Sequence, residues 1–184
     1  MFSMRRHANF IKRFKSVSCL FTASILFPMQ ISAAVSDYDA LVIEARGGNS
    51  APLLRYLEDQ GKKSALTPNQ VADWLQVSSW VENNDKTTIE IWQRYRGQMD
   101  VPARGKVAAA RAYRNQKNWN DSLAVWESVL QQEPDNVDVR TGWIMTLADA
   151  RYNQQALTEA NKWAQAHPGA DSDALLAYVY HSQG

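Results

Sequence analysis

Few side chains in these 184 residues have the types and spacing that covalent or acid–base chemistry needs. Histidine stands at three positions and cysteine at one, Cys19. His167 and His181 lie far down the chain, each beside an expected helix end, where a cation near a C-terminus is the simple reading. No HExxH, GxxxxGK[ST] or GxSxG string occurs, so zinc hydrolysis, phosphate-loop chemistry and a serine elbow have no local signature. Gly105-Lys106 lacks the glycine spacing of a phosphate loop, and the carboxylates read as scattered over solvated positions. The expectation is a protein that is not an enzyme and needs no metal or cofactor. What remains is recognition. Arg104, Arg111, Arg114 and Asn115 fall on one face of a helix by the helical period, a pattern for binding a partner.

The elements that would carry these residues repeat. Pro134 and Pro168 are 34 residues apart and each follows a helical, aromatic-bearing run. About 34 residues is the period of tetratricopeptide (TPR) helix pairs. Residues 103–134 fit one unit, with Ala109, Ala110 and Tyr113 on a first helix. Trp119, Ser122, Trp126 and a closing Pro134 follow on the second. Residues 136–168 keep Leu147, Ala156, Trp163 and Pro168, with Ala160 where an aromatic is usual. Residues 68–102 form another pair, with Val71, Trp74, Leu75 and Ser78 on one helix and Ile89, Trp92 and Tyr95 on the next. A more divergent pair covers Asp37–Arg46 and Ser50–Gln60, split by Gly47-Gly48-Asn49, with Gly61 as a left-handed stop. Thr67-Pro68-Asn69-Gln70 reads as a capping box with proline at the first helical position. Leu123, Trp126, Val129 and Leu130 have the spacing of one apolar face.

The fold class expected is all-α, a TPR-like helix-turn-helix solenoid. One helix pair cannot cover its own apolar face, so neighbours stack and share a core. Tyr113, Trp119 and Trp126 stand at core positions of the repeat and read as core rather than sugar-stacking platforms. Trp74, Trp92 and Trp163 read the same way. The first helices line the concave surface of such a superhelix. Arg104, Arg111, Arg114 and Asn115 should therefore form a basic concave patch, flanked by Glu82, Asp138, Thr141 and Asp149 from neighbouring units. Asp173–Gly184 reads as the first helix of a further pair, leaving Leu176 and Tyr180 uncovered, so the repeat domain over 35–184 is expected to be truncated within a repeat.

Residues 1–34 read as a cleaved signal peptide. Arg5, Arg6, Lys12, Arg13 and Lys15 precede an apolar Val17–Phe27, and Ser32-Ala33-Ala34 offers the small residues of a cleavage site. The apolar run is far shorter than the roughly 20 residues a spanning helix needs. Cys19 precedes most of that run and does not fit a lipid-attachment cysteine. Without residues 1–34 the chain has 15 basic and 19 acidic residues, a net charge of −4. That balance argues against nucleic-acid binding.

Several strings are more specific than the TPR pattern. Tyr38-Asp39-Ala40-Leu41-Val42-Ile43-Glu44-Ala45-Arg46, Ala72-Asp73-Trp74-Leu75-Gln76, Pro102-Ala103-Arg104-Gly105, Ala112-Tyr113-Arg114-Asn115 and Thr146-Leu147-Ala148-Asp149-Ala150 resemble the N-terminal region of the poly-β-1,6-N-acetylglucosamine export porin family (PgaA/HmsH). The resemblance runs from about Tyr38 to the end. It implies a Gram-negative outer-membrane protein in which a periplasmic TPR superhelix precedes a β-barrel that passes a biofilm polysaccharide outward. It further implies two partners, a periplasmic polysaccharide deacetylase and the partly deacetylated polymer. No series of ~10-residue alternating strands follows here, so the barrel of the full-length protein is absent from this chain. No family binding residue can be matched position by position. A generic exported TPR scaffold that binds another protein is the alternative.

Overall fold

In a computed structural model the residues described are 36–184; the expected signal peptide lies outside them. Nine α-helices make up these residues, with no strand among them: α1 Asp37–Arg46, α2 Ala51–Lys63, α3 Pro68–Ser78, α4 Asp85–Tyr95, α5 Ala103–Asn115, α6 Trp119–Leu130, α7 Val137–Asp149, α8 Asn153–Ala166 and α9 Ala170–Ser182. This is the expected all-α, TPR-like solenoid.

Local chemistry starts the helices. Ser36 accepts from the Asp39 amide at the head of α1, and Asn136 accepts from Val139 at the head of α7. Thr67 and Gln70 exchange both bonds of the capping box before α3. The helices stop by a device that also repeats. Gly48, Asn83, Lys117 and Arg151 all have positive φ, at 103°, 60°, 60° and 66°, one in the turn inside each of the four helix pairs α1–α2, α3–α4, α5–α6 and α7–α8. After three of them the chain closes a Schellman-type bond: Asn49 N–H to Glu44, Asn118 to Tyr113, and Tyr152 to Leu147.

The stacking follows a simple rule. The odd-numbered helices touch one another in series, α1 to α3 to α5 to α7 to α9. The even-numbered helices touch only odd ones, each bridging from its own partner to the next unit. The odd helices are therefore the closely spaced inner row, and the even helices splay on the outside of the curve.

The core lies between the rows. Trp126 and Tyr113 are almost fully buried, and Trp74, Trp92, Tyr95, Trp143 and Trp163 are buried too. Trp126 donates from Nε1 to Thr146 Oγ1 at 3.1 Å, and Ser122 donates to the Ala110 carbonyl at 2.8 Å, so these buried polar atoms are satisfied. Glycine permits the closest approaches. A Cβ on Gly142 would lie 2.5 Å from Trp126 Cη2, and one on Gly105 would lie 2.8 Å from Ala72 Cα.

Three expectations are corrected. Trp119, read as core, is only half-buried and stands outside the core, because it is the first residue of α6, at the turn from α5. Gly61 does not stop α2 in a left-handed conformation, because the helix continues through it to Lys63. Its role is space: a Cβ there would meet the Tyr95 hydroxyl at 3.1 Å and the Trp74 ring at 3.4 Å. The last helix begins at Ala170, three residues before Asp173. On it Tyr180 is 57% exposed, while Leu176 is partly buried against the core.

Candidate functional site

The inner row carries the surface on which most of the expected binding residues meet. Arg104, Arg111, Arg114 and Asn115 all lie on α5, and Asp138, Thr141 and Asp149 lie on α7. Glu82 is the exception. It sits in the turn between α3 and α4, not on a first helix, because α3 stops at Ser78 and the chain needs Ser79–Asn84 to reverse.

The basic patch is largely neutralised. Arg104 lies 3.0 Å from Asp73 and also donates to the Asn69 carbonyl and side chain. Arg114 Nε donates to Asp149 Oδ2 at 2.6 Å, and Asn115 donates to Asp85 at 3.1 Å. A cation half-buried beside neighbouring helices is tolerated only when paired. The inner row therefore supplies the partners, and Asp73 and Asp149 are half-buried rather than freely solvated. Among the described residues Arg111 has no hydrogen-bond or ion-pair partner and is exposed.

A phenol completes each arginine–aspartate pair. Tyr38 on α1 donates to Asp73 on α3 at 2.7 Å, and Asp73 accepts from Arg104 on α5. In mirror order, Arg114 on α5 donates to Asp149 on α7 and, at 2.7 Å, to the Tyr178 hydroxyl on α9, which itself donates to Asp149. Each Tyr–Asp–Arg set ties three successive inner helices. Burial and the bond to its carboxylate raise the pKa of both phenols above the ordinary tyrosine value. Sequence reasoning missed Tyr38, Asp73 and Tyr178. The available signal was spacing, since Tyr38–Asp73 and Arg114–Asp149 are each 35 residues apart, one repeat.

Between α5, α7 and α9 lies a groove of about 610 Å³. Arg111 and Asn115 form one wall, Asp138 and Asp171 stand on the other side, and Met145 and Leu175 contribute apolar floor. A smaller notch of about 170 Å³ lies between the end of α3 and α5, and Arg111 and Asn115 line it as well. The inner face thus offers donors, carboxylate acceptors and apolar ground side by side, suited to holding a polar chain rather than to transforming it.

The remaining expected elements have plain places. His167 caps α8 and its ring stacks 3.7 Å from that of Trp163, while His181 sits in the last turn of α9. Among the described residues there is no group of three potential metal ligands. No helix among them is long and apolar enough to cross a membrane.

Comparison with known proteins adds the decisive likeness. Two curated relatives, from Escherichia coli strain K12 and from Escherichia coli O157:H7, are each 45% identical to this chain over 170 residues. It is similar to the poly-β-1,6-N-acetyl-D-glucosamine export protein. The alignment takes in 90% of this chain and 20% of each relative, so the chain spans about a fifth of their length. This bears out the resemblance read from the strings. The relatives are named as export proteins and not as enzymes. No family model matches, and no solved structure matches.

Proposed function

We propose that this chain is the periplasmic TPR portion of an outer-membrane exporter of poly-β-1,6-N-acetylglucosamine. It acts by holding the partly deacetylated polymer, a periplasmic deacetylase, or both on its inner face. The observation that carries the reading is the 45% identity over 90% of the chain to proteins that export this polysaccharide.

The inner face supports it chemically. A partly deacetylated polymer presents acetamide carbonyls, hydroxyls and ammonium groups along one strand. Exposed Arg111 and Asn115 donate to carbonyls and hydroxyls. Exposed Asp138 and Asp171, on the far side of the same groove, accept from ammonium groups. Arg114 and Asp149 are engaged with each other and with Tyr178. In this reading they shape the groove and leave ligand contact to Arg111, Asp138, Asp171 and the amide group of Asn115 beyond its one bond to Asp85.

The test is titration calorimetry of residues 35–184, a compact unit by itself, with partly deacetylated β-1,6 oligomers and with the deacetylase. Heat of binding is expected with one or both. Heat from neither, above the dilution control, overturns the proposal. Binding of the deacetylase alone removes the polysaccharide half of it.

A further inference from the structure

The chain carries an exposed tryptophan that the core does not use. Trp80 follows the end of α3 and is 46% exposed, while Trp74, Trp92, Trp126, Trp143 and Trp163 are all buried. Exposing an indole forgoes the large burial free energy that places tryptophan in cores. Trp80 lines the 170 Å³ notch between α3 and α5, together with Gln76, Asp85, Arg111 and Asn115. That volume is below the ~300–1,000 Å³ of pockets that enclose a drug-sized ligand. It suits one small ring.

The chemistry around the indole is specific in kind. Gln76 and Asn115 are amides that donate and accept, Arg111 is an unengaged guanidinium, and Asp85 is a half-buried carboxylate that already accepts from Asn115. A flat apolar surface rimmed by donors and acceptors matches a pyranose ring. Such a ring has an apolar C–H face and an equatorial fringe of hydroxyls. An aliphatic peptide side chain would leave the rim unsatisfied, and a phosphate would face Asp85 without needing the indole.

The notch and the larger groove share Arg111 and Asn115. We infer that Trp80 is a hexosamine-stacking subsite, the end of a track that runs over Arg111 into the α5–α7–α9 groove. One sugar ring lies on Trp80, with Arg111 and Asn115 donating to its ring substituents and Asp85 accepting from a hydroxyl or the C2 ammonium. The next residues of the β-1,6 chain follow α5 toward Asp138 and Asp171. This rests on the polysaccharide reading above and names the place on the inner face where the chain is gripped.

The experiment titrates wild type, Trp80→Ala and Trp80→Phe with a partly deacetylated β-1,6 glucosamine oligomer, reading calorimetry and tryptophan emission. Wild type is expected to bind with a shift of emission to shorter wavelength as the exposed indole is covered. Trp80→Ala is expected to weaken binding roughly tenfold, and Trp80→Phe, which keeps a flat ring, to stay within about threefold of wild type. Trp80 is outside the core, so circular dichroism of both variants should match wild type. If Trp80→Ala loses helicity, the wild-type emission shift and Trp80→Phe decide. Wild-type binding that Trp80→Ala leaves unchanged, or that gives no emission shift, overturns the subsite and leaves the polysaccharide reading standing. Wild type that binds no oligomer overturns both.

Discussion

Adding one methyl group at Gly142 tests how closely the repeats are fitted. The new Cβ of Gly142→Ala would sit 2.5 Å from two carbons of the Trp126 ring and 3.0 Å from a third. Comfortable carbon–carbon contact is ~3.5–4.0 Å, so the overlap is about 1 Å. The ring cannot swing aside freely. Trp126 is fully buried, and Nε1 is bonded to Thr146 Oγ1, which in turn donates to the Gly142 carbonyl at 2.7 Å. Either α7 moves off α6 or the indole leaves its partner. Overpacking of this kind costs ~1–3 kcal/mol and the strained hydrogen bond about 1 more, against about 1 gained in helix propensity. The net expectation is a loss of about 1–3 kcal/mol, read from urea unfolding followed by circular dichroism. Trp126→Phe removes the ring atoms that clash. In that background the Gly142→Ala penalty should shrink by about 1 kcal/mol or change sign. A Gly142→Ala protein as stable as wild type, or a penalty that Trp126→Phe leaves untouched, refutes the account of close fitting through glycine.

Other consequences follow from the same geometry. Trp126→Ala, which empties the largest fully buried side-chain site, should cost about 3–5 kcal/mol in the same assay. Lys117→Gly and Arg151→Gly should each raise stability by about 0.5–1 kcal/mol, because a left-handed backbone strains a side-chain-bearing residue and not glycine; a lower urea midpoint would contradict this. Tyr38 and Tyr178 have raised folded-state pKa values, so the stability they contribute is fully present below the unfolded tyrosine value of about 10. It is lost as pH rises above that value and through the folded ones. Spectrophotometric titration should therefore show Tyr38 and Tyr178 ionising at higher pH in the native protein than in denaturant, and Asp149→Asn should lower the Tyr178 value by removing the carboxylate that its hydroxyl bonds.

The repeat itself was readable because its large features are sequence-local. A capping box, a proline at the head of α3, and Tyr113, Ser122 and Trp126 at helical spacing all report on their own helix pair. What could not be read depends on the distance between pairs. Gly61 looks like a helix stop in a string of residues, yet it is a gap left for Tyr95 and Trp74. Lys117 and Arg151 occupy left-handed turns with side chains that give no such signal, although the glycine pair at Gly47-Gly48 marked the equivalent turn. The concave arginines were placed on the correct helix, but their charge was misjudged. Whether Arg104 and Arg114 are free depends on Asp73 and Asp149 being one inner helix away, with Tyr38 and Tyr178 a helix beyond or alongside. Glu82 falls off the first helix because the α3–α4 turn, residues 79–84, is longer than the turns inside the other helix pairs. Trp80 carried no periodic signal at all, since it lies just past the helix whose face would have assigned it.

The central claim is that a partly deacetylated β-1,6 glucosamine chain is held along the inner row of helices. Amide chemical-shift mapping of residues 35–184 during titration with that oligomer tests it most directly. The account predicts perturbations that cluster at Trp80, Asp85, Arg111, Asn115, Asp138 and Asp171, with the outward faces of α4, α6 and α8 unmoved. Shifts confined to those outer helices, or none at saturating oligomer, would contradict it.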